Sequence, residues 1–192
     1  MTQAKTDENN TRLDITQASS KHPGFMFPNL KAHLTFWTLA LIGLMVDLWT
    51  KKTVFDWLDN RHTYPVVEDC LQFVRALNDG AAWGMMAGNT FFLVAVSVIA
   101  LVVIIVVFFY SGRQPFLVHV ALGFFAAGVS GNLYDRIFNG GMVRDFIDVY
   151  YRDYHWPAFN VADSLLCIGI GLFIISTIFT EKPAQKHAQQ QK

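Results

Sequence analysis

Charge is scarce in this chain. Only 16% of its 192 residues are Asp, Glu, Lys or Arg while 53% are hydrophobic, against roughly a quarter charged in an average soluble domain. A net imbalance is absent as well. The 15 basic and 15 acidic residues cancel to +0, so no global field selects nucleic acid or an anionic surface as partner. Cysteine is almost missing: Cys70 lies in a polar region and Cys167 in an apolar run. Two such residues support neither a disulfide framework nor a zinc cluster, and each reads as a small apolar side chain. No internal repeat is visible. The chain also lacks an early apolar core, because residues 1–31 are a polar tail rich in Gln, Asn, Thr, Ser and Lys. The first apolar segment is therefore read as a retained span rather than a signal peptide.

What is present is long hydrocarbon. Four stretches reach the roughly 20 residues that a helix needs to cross a bilayer: about 32–49, 90–110, 115–134 and 161–180. The expected fold class is mainly α and integral to the membrane, a four-transmembrane-helix bundle over residues 32–180 with polar tails at 1–31 and 181–192. Spans two and three are joined by a tight turn, whereas the other two connections are long and polar. In the first of these, "CLQFVRALN" (70–78) alternates apolar and polar residues as a half-exposed strand does, so a small β element is expected on the membrane there. Lys and Arg near the spans hardly orient the chain, with eight on the terminal side and seven opposite. Acids separate better, four of fifteen on the terminal side, and favour cytoplasmic termini even though acids weigh little in this rule.

The unusual polar residues converge. Asp47 ends span one, "NDGAAWG" (78–84) opens span two, "GNLYDR" (131–136) ends span three and "FNVADS" (159–164) opens span four. Alternating span direction puts all four at one membrane face. Ionisable residues at span edges mark functional sites by default, since burying one is expensive, although Asn160 or Asp163 could equally cap span four. Two aspartates sharing a partly dry site would not both ionise near neutral pH. One can then take a proton from water while the other donates to a carbonyl oxygen and later helps the amine leave. Asp145 and Asp163 suit those roles, and the chemistry calls for no metal or cofactor. A hydrolytic serine has weaker support, because no convergent histidine and base accompany it. His119, in mid-span, reads as a packed residue; His155, beside Trp156, reads as an interfacial loop histidine. Asp148 and Asp153 read as loop residues that tolerate change.

The order "DLWTK" (47–51), "NDGAAWG", "GNLYDRIFNGGMVRDFID" (131–148) and "FNVADS" resembles the bacterial lipoprotein signal peptidases, also called signal peptidase II, over about residues 34–178. That resemblance implies a membrane aspartic endopeptidase with four spans and a small extracytoplasmic β-rich cradle. Such enzymes remove signal peptides from prolipoproteins, cutting on the N-terminal side of a diacylglyceryl-modified cysteine. The catalytic aspartates of the V-x-D-F and F-N-x-A-D-S motifs fall on Asp145 and Asp163. Supporting, substrate-binding polar residues fall on Asn78, Asn132, Arg136 and Asn160, with Asp47, Lys51 and Asp135 at structural positions near the site. The implied setting is the bacterial inner membrane, with both termini cytoplasmic. The expected partners are diacylglyceryl prolipoproteins and membrane lipid, without nucleic acid, and the chain is expected to act as a monomer.

Departures from the pattern are modest. Asp135 and Asp145 stand one residue further apart than usual, at "IFNGGM", Arg144 replaces an apolar residue and Trp83 replaces Phe. Two rival readings compete. An ion transporter would need acids at mid-span along a path to the other face, and an assembly subunit would spend the aspartates on pairing Arg136, Arg144 and Arg152.

Overall fold

The computed structural model describes residues 26–59, 63–80 and 85–180. Trp83, residues 1–25 of the N-terminal tail and all of 181–192 lie outside the described residues. Four helices carry the fold: α1 (Leu30–Leu58), α2 (Thr90–Phe109), α3 (Phe116–Phe138) and α4 (Val161–Thr180). Each is long and apolar enough to span a bilayer. Phe91, Ile99 and Val103 on α2 and Ile168 and Ile174 on α4 are all exposed. A face of this kind belongs in hydrocarbon, where helices satisfy their own backbone.

Helix α1 starts where the Asn29 side chain accepts the Ala32 N–H at 2.9 Å, an N-cap of the usual kind. It runs well beyond Trp49. Residues 44–58 contain neither glycine nor proline, and Asp47, Lys51, Phe55 and Leu58 form one buried stripe at helical spacing. The last turns of α1 therefore stand under the polar face of the molecule and bring two charges with them.

Helix α3 is central and touches α1, α2 and α4. Small residues permit that approach. A Cβ at Gly128 would lie 2.6 Å from the Ala162 carbonyl oxygen and from Leu166 Cγ, and one at Gly43 2.7 Å from Ala127 Cβ, so the backbones sit closer than larger residues would allow. At the end nearest the termini, Phe36 and Phe108 stack at 4.1 Å and 15°. Both are fully buried, among Ala32, Val118, Leu122 and Ala126. His119 belongs to this region, with Nε2 3.1 Å from the Ser111 carbonyl oxygen, so it is a packed, hydrogen-bonded residue.

The other end carries a four-stranded antiparallel sheet, β1 (Thr63–Val67), β2 (Leu71–Asn78), β3 (Val143–Tyr151) and β4 (Tyr154–His155), in the order β1-β2-β3-β4. The alternating run at 70–78 supplies β2. Strand β3 replaces what reads in sequence as polar connection, and its Val, Phe, Ile and Tyr content is the reason. Gly140 and Gly141, at φ +62° and +88°, make the sharp exit from α3 that an L-residue adopts only with strain. A Cβ on Gly141 would also strike the Thr90 side chain at 2.6 Å. In the β2–β3 register Asp145 faces Ala76 and Val143 faces Asn78. Phe159 then returns to bridge Ile147, which delivers the chain to the start of α4 beside β3.

Candidate active site

Helix α4 begins with a reciprocal cap. The Asp163 N–H donates to Asn160 Oδ1 at 3.1 Å, and the Asn160 N–H donates to Asp163 Oδ2 at 3.1 Å, the geometry of a capping box. The capping role and a place in the site coincide. The other Asp163 oxygen, Oδ1, accepts from Asn132 Nδ2 of α3 at 2.8 Å.

Asp145 comes from β3. Its Oδ1 accepts from Asn160 Nδ2 at 2.6 Å and its Oδ2 from Asn78 Nδ2 at 3.0 Å. Asn160 thus binds one aspartate through its side chain and the other through its backbone. Asp145 is almost wholly buried. Burial, chiefly, pushes its carboxyl up to about 6, and the nearby negative charge of Asp163 adds to the rise, while the hydrogen bonds from Asn78 and Asn160 oppose it.

Beneath this pair lies a buried ionic layer. Lys51 has no exposed side-chain surface and sits 2.7 Å from Asp47 and 3.5 Å from Asp135. Its Nζ also donates to Asn132 Oδ1 at 3.0 Å, and the Asn160 amide donates to the same oxygen at 3.1 Å. Two donors on that oxygen turn the Asn132 amide nitrogen toward Asp163. Asp47 Oδ1 accepts the Ala162 N–H at 2.8 Å, tying α1 to the first turn of α4, and Gly131 leaves room for the Asp47 carboxylate beside α3. Asp135 receives Arg144 through Nε and Nη2, the latter at 2.6 Å, so the arginine that departs from the apolar pattern neutralises a buried acid.

Asp145, Asp163, Asn78, Asn132 and Arg136 all line one cavity of about 1020 Å³, walled elsewhere by largely apolar residues. Arg136 Nη2 donates to the Gly80 carbonyl oxygen at 2.9 Å, while its buried Nε has no partner among the described residues. The cavity can hold a polypeptide segment against two carboxylates at the level where spans meet polar sheet. Among the described residues no three His, Cys, Asp or Glu side chains converge as a metal-ligand set.

The structure brings the sequence candidates together in two layers. Asp145, Asp163, Asn78, Asn132 and Arg136 line the cavity, and Asn160, Asp47, Lys51 and Asp135 pack behind them. Asp153 does lie in the β3–β4 turn, but Asp148 is not a loop residue. It is buried on β3, where Oδ2 accepts from Gln72 Nε2 at 2.6 Å and lies 2.8 Å from His155 Nδ1. The signal that could have revealed this is the β-rich run 143–151 followed after two residues by Tyr154 and His155, a hairpin pattern.

Comparison with known proteins agrees with the geometry. The family profile described as "Signal peptidase (SPase) II" matches residues 39–179. The lipoprotein signal peptidase of Anoxybacillus flavithermus is 35% identical over 151 residues, 78% of this chain and 88% of the relative. That of Geobacter sulfurreducens is 37% identical over 150 residues, 77% of this chain and 93% of the relative. A bacterial membrane enzyme solved by the in meso method at 2.3 Å superposes with a TM-score of 0.73 at 27% identity, covering 85% of this chain and 97% of that one. A second, solved at 1.9 Å, gives 0.68 at 30% identity and covers 84% and 99%.

Proposed function

The chain belongs to the signal peptidase II family, a multi-pass membrane aspartic peptidase, and from that premise we propose that Asp145 and Asp163 are its catalytic dyad. The observation that carries this reading is Asn160, which holds Asp145 at 2.6 Å and Asp163 at 3.1 Å in one cavity. The reaction uses one carboxyl ionised and the other protonated when substrate is bound. The ionised member takes a proton from a water molecule, whose oxygen adds to the scissile carbonyl carbon. The protonated member donates to the carbonyl oxygen. Collapse of the resulting diol breaks the C–N bond, and the departing amine leaves with a proton from the dyad. Asn78, Asn132 and Asn160 fix the carboxylates, and the Arg136 guanidinium, which lines the cavity, is a donor for the substrate main chain.

The substrate is a prolipoprotein carrying diacylglycerol on the cysteine after the scissile bond. Each buried CH₂ is worth about 0.8 kcal/mol, so that cysteine stays at the membrane and the dyad must come to it. A cavity at the mouths of α3 and α4 meets that condition. The enzyme acts as a monomer in the bacterial inner membrane, with both termini cytoplasmic and the cavity on the extracytoplasmic face. The acid-rich side of the chain supports that orientation, the basic residues being nearly balanced. The test is cleavage of a diacylglyceryl prolipoprotein by purified protein, with Asp145→Asn and Asp163→Asn beside wild type. Both variants are expected to fold and to lose turnover; normal turnover in either one ends the dyad reading.

A further inference from the structure

Four residues, Trp156 to Phe159, form one wall of the cavity, and they are held at both ends. At the far end Phe159 exchanges backbone hydrogen bonds with Ile147, at 2.9 Å and 3.0 Å. At the near end the Trp156 N–H donates to the Val149 carbonyl oxygen at 2.8 Å, and the residue before it, His155, is fastened by its side chain. The His155 ring lies flat on Tyr150, 5.3 Å between centroids and 10° between planes. Its Nδ1 is 2.8 Å from Asp148 Oδ2. The same carboxylate oxygen takes Gln72 Nε2 at 2.6 Å, so the clasp ties β4 through β3 to β2.

This arrangement costs something that packing alone would not require. Asp148 is buried, and its second oxygen has no partner among the described residues, an expense that a neutral or apolar residue would avoid. Strand β4 is only two residues long. Its two pairings with β3 are a weak hold for a segment that carries an exposed tryptophan. Without a side-chain anchor the near end of the wall would be less firmly held, and substrate binding would bear the cost of ordering it.

We propose that the Asp148–His155 clasp is a positioning device for substrate binding, which keeps the 156–159 wall in place against the apolar part of the substrate beside the scissile bond. His155 and Asp148 touch no reacting atom and act through the wall. The inference rests on the cavity being the peptidase site, and it assigns to the wall a share of substrate affinity rather than of chemistry.

The test uses full-length protein, a diacylglyceryl prolipoprotein substrate and the variants His155→Phe, His155→Asn and Asp163→Asn. His155→Phe keeps the ring on Tyr150 and removes Nδ1, whereas the side-chain nitrogen of His155→Asn can occupy the Nδ1 position. The expected result is a KM raised about tenfold in His155→Phe, the size of one lost hydrogen bond to a carboxylate, with kcat within about twofold. Amide exchange at Trp156 is expected to quicken in the same variant, and His155→Asn is expected to restore KM and exchange together. An unchanged KM in His155→Phe, or a fall in kcat and Tm without a KM change, overturns the proposal, as does failure of His155→Asn to restore KM. The Asp163→Asn arm judges the dyad separately: turnover there removes the dyad reading and leaves the KM result for the clasp intact.

Discussion

Asp145→Asn is expected to make the protein more stable at neutral pH while abolishing turnover. In the folded protein, burial chiefly raises the Asp145 carboxyl from 3.8 to about 6. The folded state therefore holds this proton more tightly than the unfolded chain does. Its favourable contribution is complete below pH 3.8 and is lost as pH rises through about 6. At about 1.36 kcal/mol per decade of acidity, the wild type forgoes about 3 kcal/mol by neutral pH. An amide avoids that loss. It also turns its own NH₂ toward either Asn78 or Asn160, both of which donate to Asp145, and forfeits about 1–2 kcal/mol with the hydrogen bond. The net gain is about 1–2 kcal/mol at pH 7.5, or a Tm higher by about 2–8 °C for a chain of this size. At pH 4 the gain disappears. The assay is thermal unfolding of both proteins in one detergent from pH 4 to 8, followed by tryptophan fluorescence. A difference in Tm that stays constant with pH, or is largest at pH 4, would refute the assignment of a raised carboxyl to Asp145.

Two further substitutions probe the scaffold. Lys51→Met strips the buried Asp47 of its ion pair and Asn132 of a donor, so stability should fall by about 3–5 kcal/mol and turnover should drop with it. Adding Asp47→Asn to that variant should recover at least half of the Tm loss in the same unfolding assay. Gly128→Val places side-chain atoms where Ala162 and Leu166 already stand. Overpacking of this kind typically costs about 1–3 kcal/mol, and by parting α3 from α4 it should weaken the Asn132–Asp163 contact, seen as a lower kcat at unchanged expression.

The membrane class and the meeting of the candidate residues at one end of the spans were legible in the sequence because they depend on local quantities. Uncharged run length marks a span, and span parity alone puts Asp47, Asn78, Asn132 and Asp163 at one face. Residues 142–155 were not legible in the same way. "MVRDFIDVYYRDYH" carries three acids and two arginines, so its charge spoke for a solvated loop while its Val, Ile, Phe and Tyr spoke for a strand. Pairing with β2 decided between them, because the backbone of β3 is satisfied there and Asp148 gains Gln72 and His155 as partners. Arg144 shows the same limit. In sequence it is a departure from an apolar position, and only the turn at Gly140 and Gly141 brings it back over Asp135.

Taken by itself, the sequence determined that four helices cross a membrane and that a set of acids and amides gathers at one end of them. Both follow from the free energy of hydrocarbon burial, which is read from runs of residues without knowing their neighbours. Which partner each polar group has was decided by tertiary structure. Lys51 stands between two acids, Asn132 turns its nitrogen to Asp163, and Asn160 spans both aspartates. Those contacts depend on how each helix is rotated and how closely α1, α3 and α4 approach at Gly43, Gly128 and Gly131. A hydrogen bond is made or lost over less than an ångström, a precision that no pattern along the chain encodes.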